Sequence, residues 1–250
     1  MLEMALASTE QPGPDAVFRT TQWSMVLAAG SDDTLQSMAA LEELCKRYWF
    51  PLYAYVRRRG YSHADAADLT QAFFALILEK HSLAGVLPGP ARFRSFLLTA
   101  LKNFLANEWE SANRIKRGGG RKLISLDDDS ADELYRKEAA DGASPDKLFD
   151  KRWALSVIEL VLARLRAEFV ASERPDLFEV LKPTLTGDKL ETPYAEVGLN
   201  FNLSEGAVKV AVHRMRKRFG ELLRAEVGQT VQNPGQVDDE VRDLISALSN

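Results

Sequence analysis

The segment Pro193–Phe219, PYAEVGLNFNLSEGAVKVAVHRMRKRF, restricts the fold more than any other stretch of the chain. It reads as two helices meeting across a tight turn. Pro193 suits the first position of a helix, where a missing N–H costs nothing. Val197 and Phe201 share an inward face at i, i+4. Gly198 is small where two helices must cross closely. Asn202 sits at the turn and tolerates a left-handed backbone. Leu203 plugs the corner, and Ser204 caps the second helix. Val208, Ala211, Val212 and Met215 then supply a buried stripe, while Lys209, His213, Arg214, Lys217 and Arg218 project outward. Such a helix fits a DNA major groove and meets phosphates with its basic end. An ordinary helical hairpin with a basic surface satisfies the same pattern.

The rest of the chain is also helical in its periodicity, and no strand-length alternation or internal repeat stands out. Its 250 residues permit one large or two modest domains. Residues 1–20, punctuated by Pro12, Gly13 and Pro14, are expected to be disordered. A first helical domain is expected over 21–117. Its apolar stripe starts at Trp23, Val26 and Leu27 and continues through Leu41, Leu44, Cys45, Tyr48 and Trp49. Pro51 is expected to kink or restart that helix, which stops at Gly60. Ser62 and Asp65 form a capping-box pair ahead of a helix carrying Ala66, Leu69, Phe73, Ile77 and Leu78. After the Ala84–Pro90 loop, a helix from about Arg92 to Ala112 has Phe93, Phe96, Leu97, Leu101 and Phe104 on one face. Residues 118–147 lose periodicity after three glycines and read as a flexible tether. A second helical domain is expected over 148–227, opening on Trp153, Val157, Leu160, Val161 and Leu165. The 228–250 tail ends in an amphipathic stretch, Val237, Val241, Leu244, Ile245 and Leu248. It has two readings, a helix that docks on either domain and holds the free protein inactive, or a fraying end. The fold expected is therefore all-α: two helical domains joined by a flexible linker.

Composition excludes several functions. One cysteine, Cys45, forms no intrachain disulfide, and with only three histidines beside it no Cys/His metal site is expected. No apolar run reaches membrane-spanning length, and the first residues lack a secretory pattern, so a reducing cytoplasm is expected. There is no Gly-rich phosphate loop, nucleophile elbow or His/Cys cluster. No catalytic residue, cofactor or metal is expected, and the protein is read as no enzyme. Net charge is −4, which disfavours indiscriminate coating of nucleic acid. Basic residues nevertheless cluster at Arg57–Arg59, at Arg114, Lys116, Arg117, Arg121 and Lys122, and at Lys209–Arg218. Acidic residues gather at Asp127–Asp129 and Asp238–Glu240. A charge cluster alone is as easily a solvated face.

LSEGAVKVAVHRMRKRFGELL resembles the minus-thirty-five-reading segment of extracytoplasmic-function RNA polymerase sigma factors. By that resemblance Lys209, Val210, His213 and Arg214 meet base edges or the groove, and Ser204, Arg216 and Arg218 meet phosphates. Asn200 departs from a position usually apolar. LuxR-type response regulators share this kind of motif, so the N-terminal half decides the class. Arg47–Lys80 is similar to the family's polymerase-docking segment, whose hallmark here is Asp65, Ala66, Asp68, Leu69, Gln71 and Phe74. Asp65 and Asp68 at i, i+3 can pair with basic residues of a partner, and Gln71 adds a neutral hydrogen bond one turn on. Leu69 and Phe73 hold the helix to its own core. The same acids also favour a helix N-terminus without any partner.

Arg92–Gly120 resembles the family's minus-ten-reading and melting helix, through Phe93, Arg94, Phe96, Leu97, Lys102, Asn103, Asn107 and the cluster beginning at Arg114. Extruded bases need aromatic faces and cations that track the strand. Lys102 and Asn103 are the candidates at the upstream edge of the bubble, and the Ala84–Ala91 loop is the candidate pocket for a flipped base. Phe96 reads as core before stacking platform. Glu108 and Glu110 depart from the usual basic character of this helix.

The resemblance implies a sigma region 2-like domain at 21–117 and a sigma region 4-like helix-turn-helix domain at 148–227. Its implied partners are core RNA polymerase and promoter DNA, with an anti-sigma factor or other regulator as a further one. The polymerase performs all bond-making chemistry. Two alternatives remain: a helix-turn-helix regulator that binds DNA without polymerase, which has no need of the Asp65–Phe74 helix, and a decoy that binds polymerase or an anti-sigma factor without promoter activity. The segment Glu168–Glu191 is longer than a minimal second domain needs.

Overall fold

A computed structural model of the chain describes residues 34–79, 92–115, 129–138, 142–186, 190, 192–231 and 233–249. Expectations for residues 1–20, for Trp23, Val26 and Leu27, for the Ala84–Ala91 loop and for Lys116, Arg117, Arg121 and Lys122 lie outside them, as does the side chain of Arg114. The described residues contain helices and no strand, so the fold is all-α. In order these are α1 (Thr34–Arg58), α2 (His63–Glu79), α3 (Phe93–Ile115), α4 (Asp129–Glu138), α5 (Pro145–Ala171), α6 (Pro175–Leu181), a 3-10 turn (Lys182–Thr186), α7 (Tyr194–Asn200), α8 (Glu205–Val227), a second 3-10 turn (Pro234–Gln236) and α9 (Val237–Ser249).

Local sequence accounts for most boundaries. α1 runs on through Pro51 rather than restarting there, and ends where Gly60 adopts φ +97°, a conformation glycine enters without a Cβ penalty. The Ser62 hydroxyl accepts from the Asp65 N–H at 3.1 Å and donates to the Asp65 carboxylate at 2.6 Å, which opens α2. Ser144 caps α5 by accepting from Lys147 N–H at 3.3 Å, with Pro145 at the first helical position. Pro175 opens α6 in the same way.

α5 carries apolar residues on every side, the pattern of a helix surrounded by others. Its first half, with Phe149, Trp153, Val157 and Val161, joins a core formed with α1 (Tyr48, Leu52), α2 (Phe73) and α3 (Phe93, Leu97, Leu101). Its second half, from Leu165, joins another with Leu177, Phe178, Val197, Val208 and Met215. α8 crosses in the opposite sense: Val208, Val212 and Met215 lie in the second core, Leu223 and Val227 in the first. Two long helices are thus shared between both clusters, and the apolar interior does not divide at the expected tether.

Part of the expected tether is helical and packed, and so is the tail, for which the sequence leaves a docked helix and a fraying end both open. Within 118–147, α4 lies against α1 through Ala131 and Tyr135. The 228–250 tail forms α9, whose Val241 and Leu244 enter the first core. The segment Glu168–Glu191, without explanation from sequence, holds the end of α5, α6 and the 3-10 turn. Leu177, Phe178 and Leu181 there form part of the second core.

Candidate nucleic-acid interface

α7 and α8 are set by three local devices. Asn202 takes φ +52° at the turn. Ser204 Oγ accepts from Ala207 N–H at 3.1 Å. Leu203 N–H donates to the Gly198 carbonyl at 2.8 Å, and a Cβ on Gly198 would lie 2.5 Å from the Leu203 oxygen, so only glycine admits this approach. Pro193 sits one residue before the first helical position, as the N-cap. With Val208, Val212 and Met215 buried, the opposite face of α8 presents Val210, His213, Arg214 and Lys217, all exposed, at i, i+3, i+4 and i+7. His213, Arg214 and Lys217 make no hydrogen bond or ion pair among the described residues. Val210 and Arg214 border an apolar groove of about 540 Å³ floored by Leu165, Phe169, Leu177 and Met215. Asn200, the last residue of α7, is exposed.

The other cations of α8 are engaged. Lys209 pairs with Glu205 at 2.6 Å. Arg216 donates to the Thr184 carbonyl at 3.0 Å. Arg218 grips Glu168 with Nε and Nη2 at 2.6–3.0 Å and meets Glu221 at 3.1 Å. The Arg218 hydrogen bonds hold the Glu168 carboxyl below its ordinary range, against the effect of burial.

α2 exposes Asp65, while Asp68, Leu69 and Gln71 are half-buried. Asp68 Oδ1 is buried and has no hydrogen-bond partner among the described residues. Phe74 is 6% exposed and belongs to the core beside Phe73, so it is not available to a partner as expected.

Residues expected to form a melting face on α3 separate into two groups. Asn103 and Asn107 are exposed, and Trp109 is 64% exposed. Lys102 is ion-paired with Asp146, which raises its pKa. Phe96 is half-buried and packs on the core next to Phe93. Arg94, expected to contact DNA, is buried. Its guanidinium meets Glu240 at 2.7 and 3.2 Å, Asp150, and Asp243 at 3.5 Å, and lies 4.6 Å from the Trp153 ring centroid. Burial opposes the Arg94 charge, but Glu240 and Asp150 more than offset that and raise its pKa.

Sequence reasoning missed these carboxylates and a second set that joins distant helices. Glu226 of α8, 1% exposed at its side chain, is clamped by Arg47 of α1 and by Arg164 of α5 at 2.6 Å. On α4, Asp132 accepts from Arg57 Nε and Nη2 at 3.1 and 2.7 Å and from the Tyr53 hydroxyl at 3.3 Å. Burial would raise the Asp132 carboxyl, but the Arg57 bonds and the charges of Arg57, Arg136 and His63 hold it below its ordinary value. The acidic run Asp238–Glu240 was the one visible signal, and it does not name its partner.

Among the described residues no helix is long and apolar enough to cross a membrane, and no group of three or more His, Cys, Asp or Glu side chains is arranged to hold a metal. No family model, curated protein or solved structure matches the chain.

Proposed function

We propose that the chain is an RNA polymerase sigma factor of the extracytoplasmic-function type, directing core polymerase to promoters and helping to melt them in the cytoplasm. The observation that carries this reading is the outer face of α8. Val210, His213, Arg214 and Lys217 form one exposed stripe, unengaged among the described residues, on a helix whose opposite face is buried and whose start is set by Gly198, Asn202 and Ser204. A helix-turn-helix of this kind suits a major groove, with Arg214 as the leading base contact and Val210 and His213 beside it. Lys209, Arg216 and Arg218 must leave their present partners before they meet phosphate.

The resemblance of Asp65–Phe74 to the polymerase-docking helix supports the same reading. Asp65 is exposed, and Asp68 and Gln71 are partly so, which leaves an acidic edge for a basic partner helix. Asn103, Asn107 and Trp109 are the accessible part of the melting face on α3. The alternative, a regulator that binds DNA without polymerase, leaves Asp65 only its capping contact with Ser62.

Transcription from a genomic DNA library with purified bacterial core polymerase tests the proposal. Discrete start sites appearing only when the protein is added are expected. Co-purification with core polymerase is expected to fall at least tenfold in Asp65→Lys while the circular dichroism spectrum stays unchanged. Arg214-dependent DNA binding with no retention of polymerase would favour the polymerase-independent regulator.

A further inference from the structure

α9 meets α3 at its N-terminal end, where the resemblance puts contacts to DNA. The turn before α9 brings the Thr230 carbonyl onto the Phe93 N–H at 3.0 Å, which satisfies a donor that a helix start leaves open. Arg92 Nε then meets Glu240 at 2.9 Å, and its Nη1 pairs with Asp243. Arg94 meets the same two carboxylates. Val241 and Leu244 anchor the helix in the first core. Glu240 is 0% exposed on the face of α9 that also carries Val241 and Leu244, and the two guanidiniums partner its carboxylate there.

We propose that α9 is an internal anionic plug. Glu240 and Asp243 occupy Arg92 and Arg94 in the way that phosphates of a nucleic acid would, and hold the free protein in a closed state. Guanidinium forks bind carboxylate and phosphate with the same paired geometry. A carboxylate on the same chain competes at a high effective concentration, so a DNA strand must displace it. Through the Gly228–Val231 turn and the core shared by Leu223, Val227, Val241 and Leu244, the plug also ties the C-terminal end of α8 to α3. Release of α9 frees Arg92 and takes Glu240 and Asp243 away from Arg94, whose contacts to Asp150 and Trp153 on α5 remain. This rests on the DNA-binding reading given above.

Removing α9 would uncover the pocket of Val241 and Leu244 and risks misfolding. The test therefore uses the full-length, near-isosteric variant E240Q/D243N. Its control, D238N/D239N, removes the same charge from exposed positions that pair with Arg224 and Arg242. Fluorescence anisotropy with a labelled duplex carrying an unpaired bubble reports affinity, and amide hydrogen exchange over 237–249 reports docking. Affinity at least tenfold above wild type for E240Q/D243N, but less than threefold for the control, is expected, with faster exchange in α9. Equal affinities for the wild type and both variants, with Arg214→Ala still weakening all of them, would overturn the plug and leave the DNA-binding reading standing. Equal gains in both variants would also overturn it, as a plain charge effect. No binding by any variant, with or without core polymerase, would remove the reading and the plug together.

Discussion

Arg94 Nε donates to Glu240 Oε1 at 2.7 Å, joining residues 146 positions apart, with the Glu240 side chain wholly enclosed. Truncating Arg94 to alanine leaves a buried carboxylate with Arg92 as its remaining ionic partner and removes the cation over Trp153. Breaking a buried pair from one side costs about 3–5 kcal/mol. Arg94→Ala is expected to lose about 3 kcal/mol in urea denaturation. A loss within about 0.5 kcal/mol, the usual range for a surface substitution, would show that the guanidinium is not part of the structure's support.

The Arg57–Asp132 contact predicts a pH dependence. The folded-state pKa of Asp132 is depressed, so its contribution is present above the ordinary carboxylate pKa and fades as pH falls through the lower, folded value. Asp132→Asn is expected to melt below wild type at pH 7, and the gap is expected to close in acid below about pH 4. Amide exchange in α4 follows the same course. A gap that persists unchanged into acid would remove ionisation as its cause.

Two glycines on neighbouring helices predict opposite outcomes. A methyl group on Gly198 meets the Leu203 carbonyl at 2.5 Å, whereas on Gly206 its nearest neighbour is Ser204 Oγ at 3.9 Å. Gly198→Ala is expected to destabilise by about 2 kcal/mol, as overpacking against backbone does, and to reduce DNA binding with it. Gly206→Ala is expected to be neutral or to stabilise by up to about 1 kcal/mol, the helix-propensity difference. Denaturation midpoints of the pair check this.

Arg214 and Arg218 lie one turn apart on α8 but differ in what they do in the free protein. Arg214 is unengaged, while Arg218 is held by Glu168 and Glu221. Arg214→Ala is expected to weaken duplex binding by about 1–3 kcal/mol, the worth of a good base contact. Arg218→Ala is expected to cost less, because the phosphate contact proposed for it competes with Glu168. Equal losses in anisotropy titrations would mean that Glu168 releases Arg218 at little cost.

The turn between α7 and α8 was legible almost atom by atom, because Gly198, Asn202, Leu203 and Ser204 act on one another within a few residues. Gly60 and the Ser62–Asp65 pair were legible for the same reason. The exposure of His213 and Arg214 followed from helical spacing. The engagement of Arg218 did not, since Glu168 lies 50 residues away. Phe74 shows the converse: the family resemblance put it at the end of a docking face, but the neighbouring Phe73 ring and the core claimed it.

Helix, turn and cap are decided by hydrogen bonds and steric limits reaching about four residues along the chain, so the amino-acid order alone was enough to make this an all-α protein with a glycine-dependent corner ahead of a basic helix. Which cation meets which anion depends on closures of many tens of residues, and any of several acidic runs satisfied the composition equally well. Only packing α5 and α8 through both apolar clusters brought Glu226 between Arg47 and Arg164, and Glu240 onto Arg94. Burial then made those pairings obligatory, because an enclosed charge without its partner costs far more than the same charge in water.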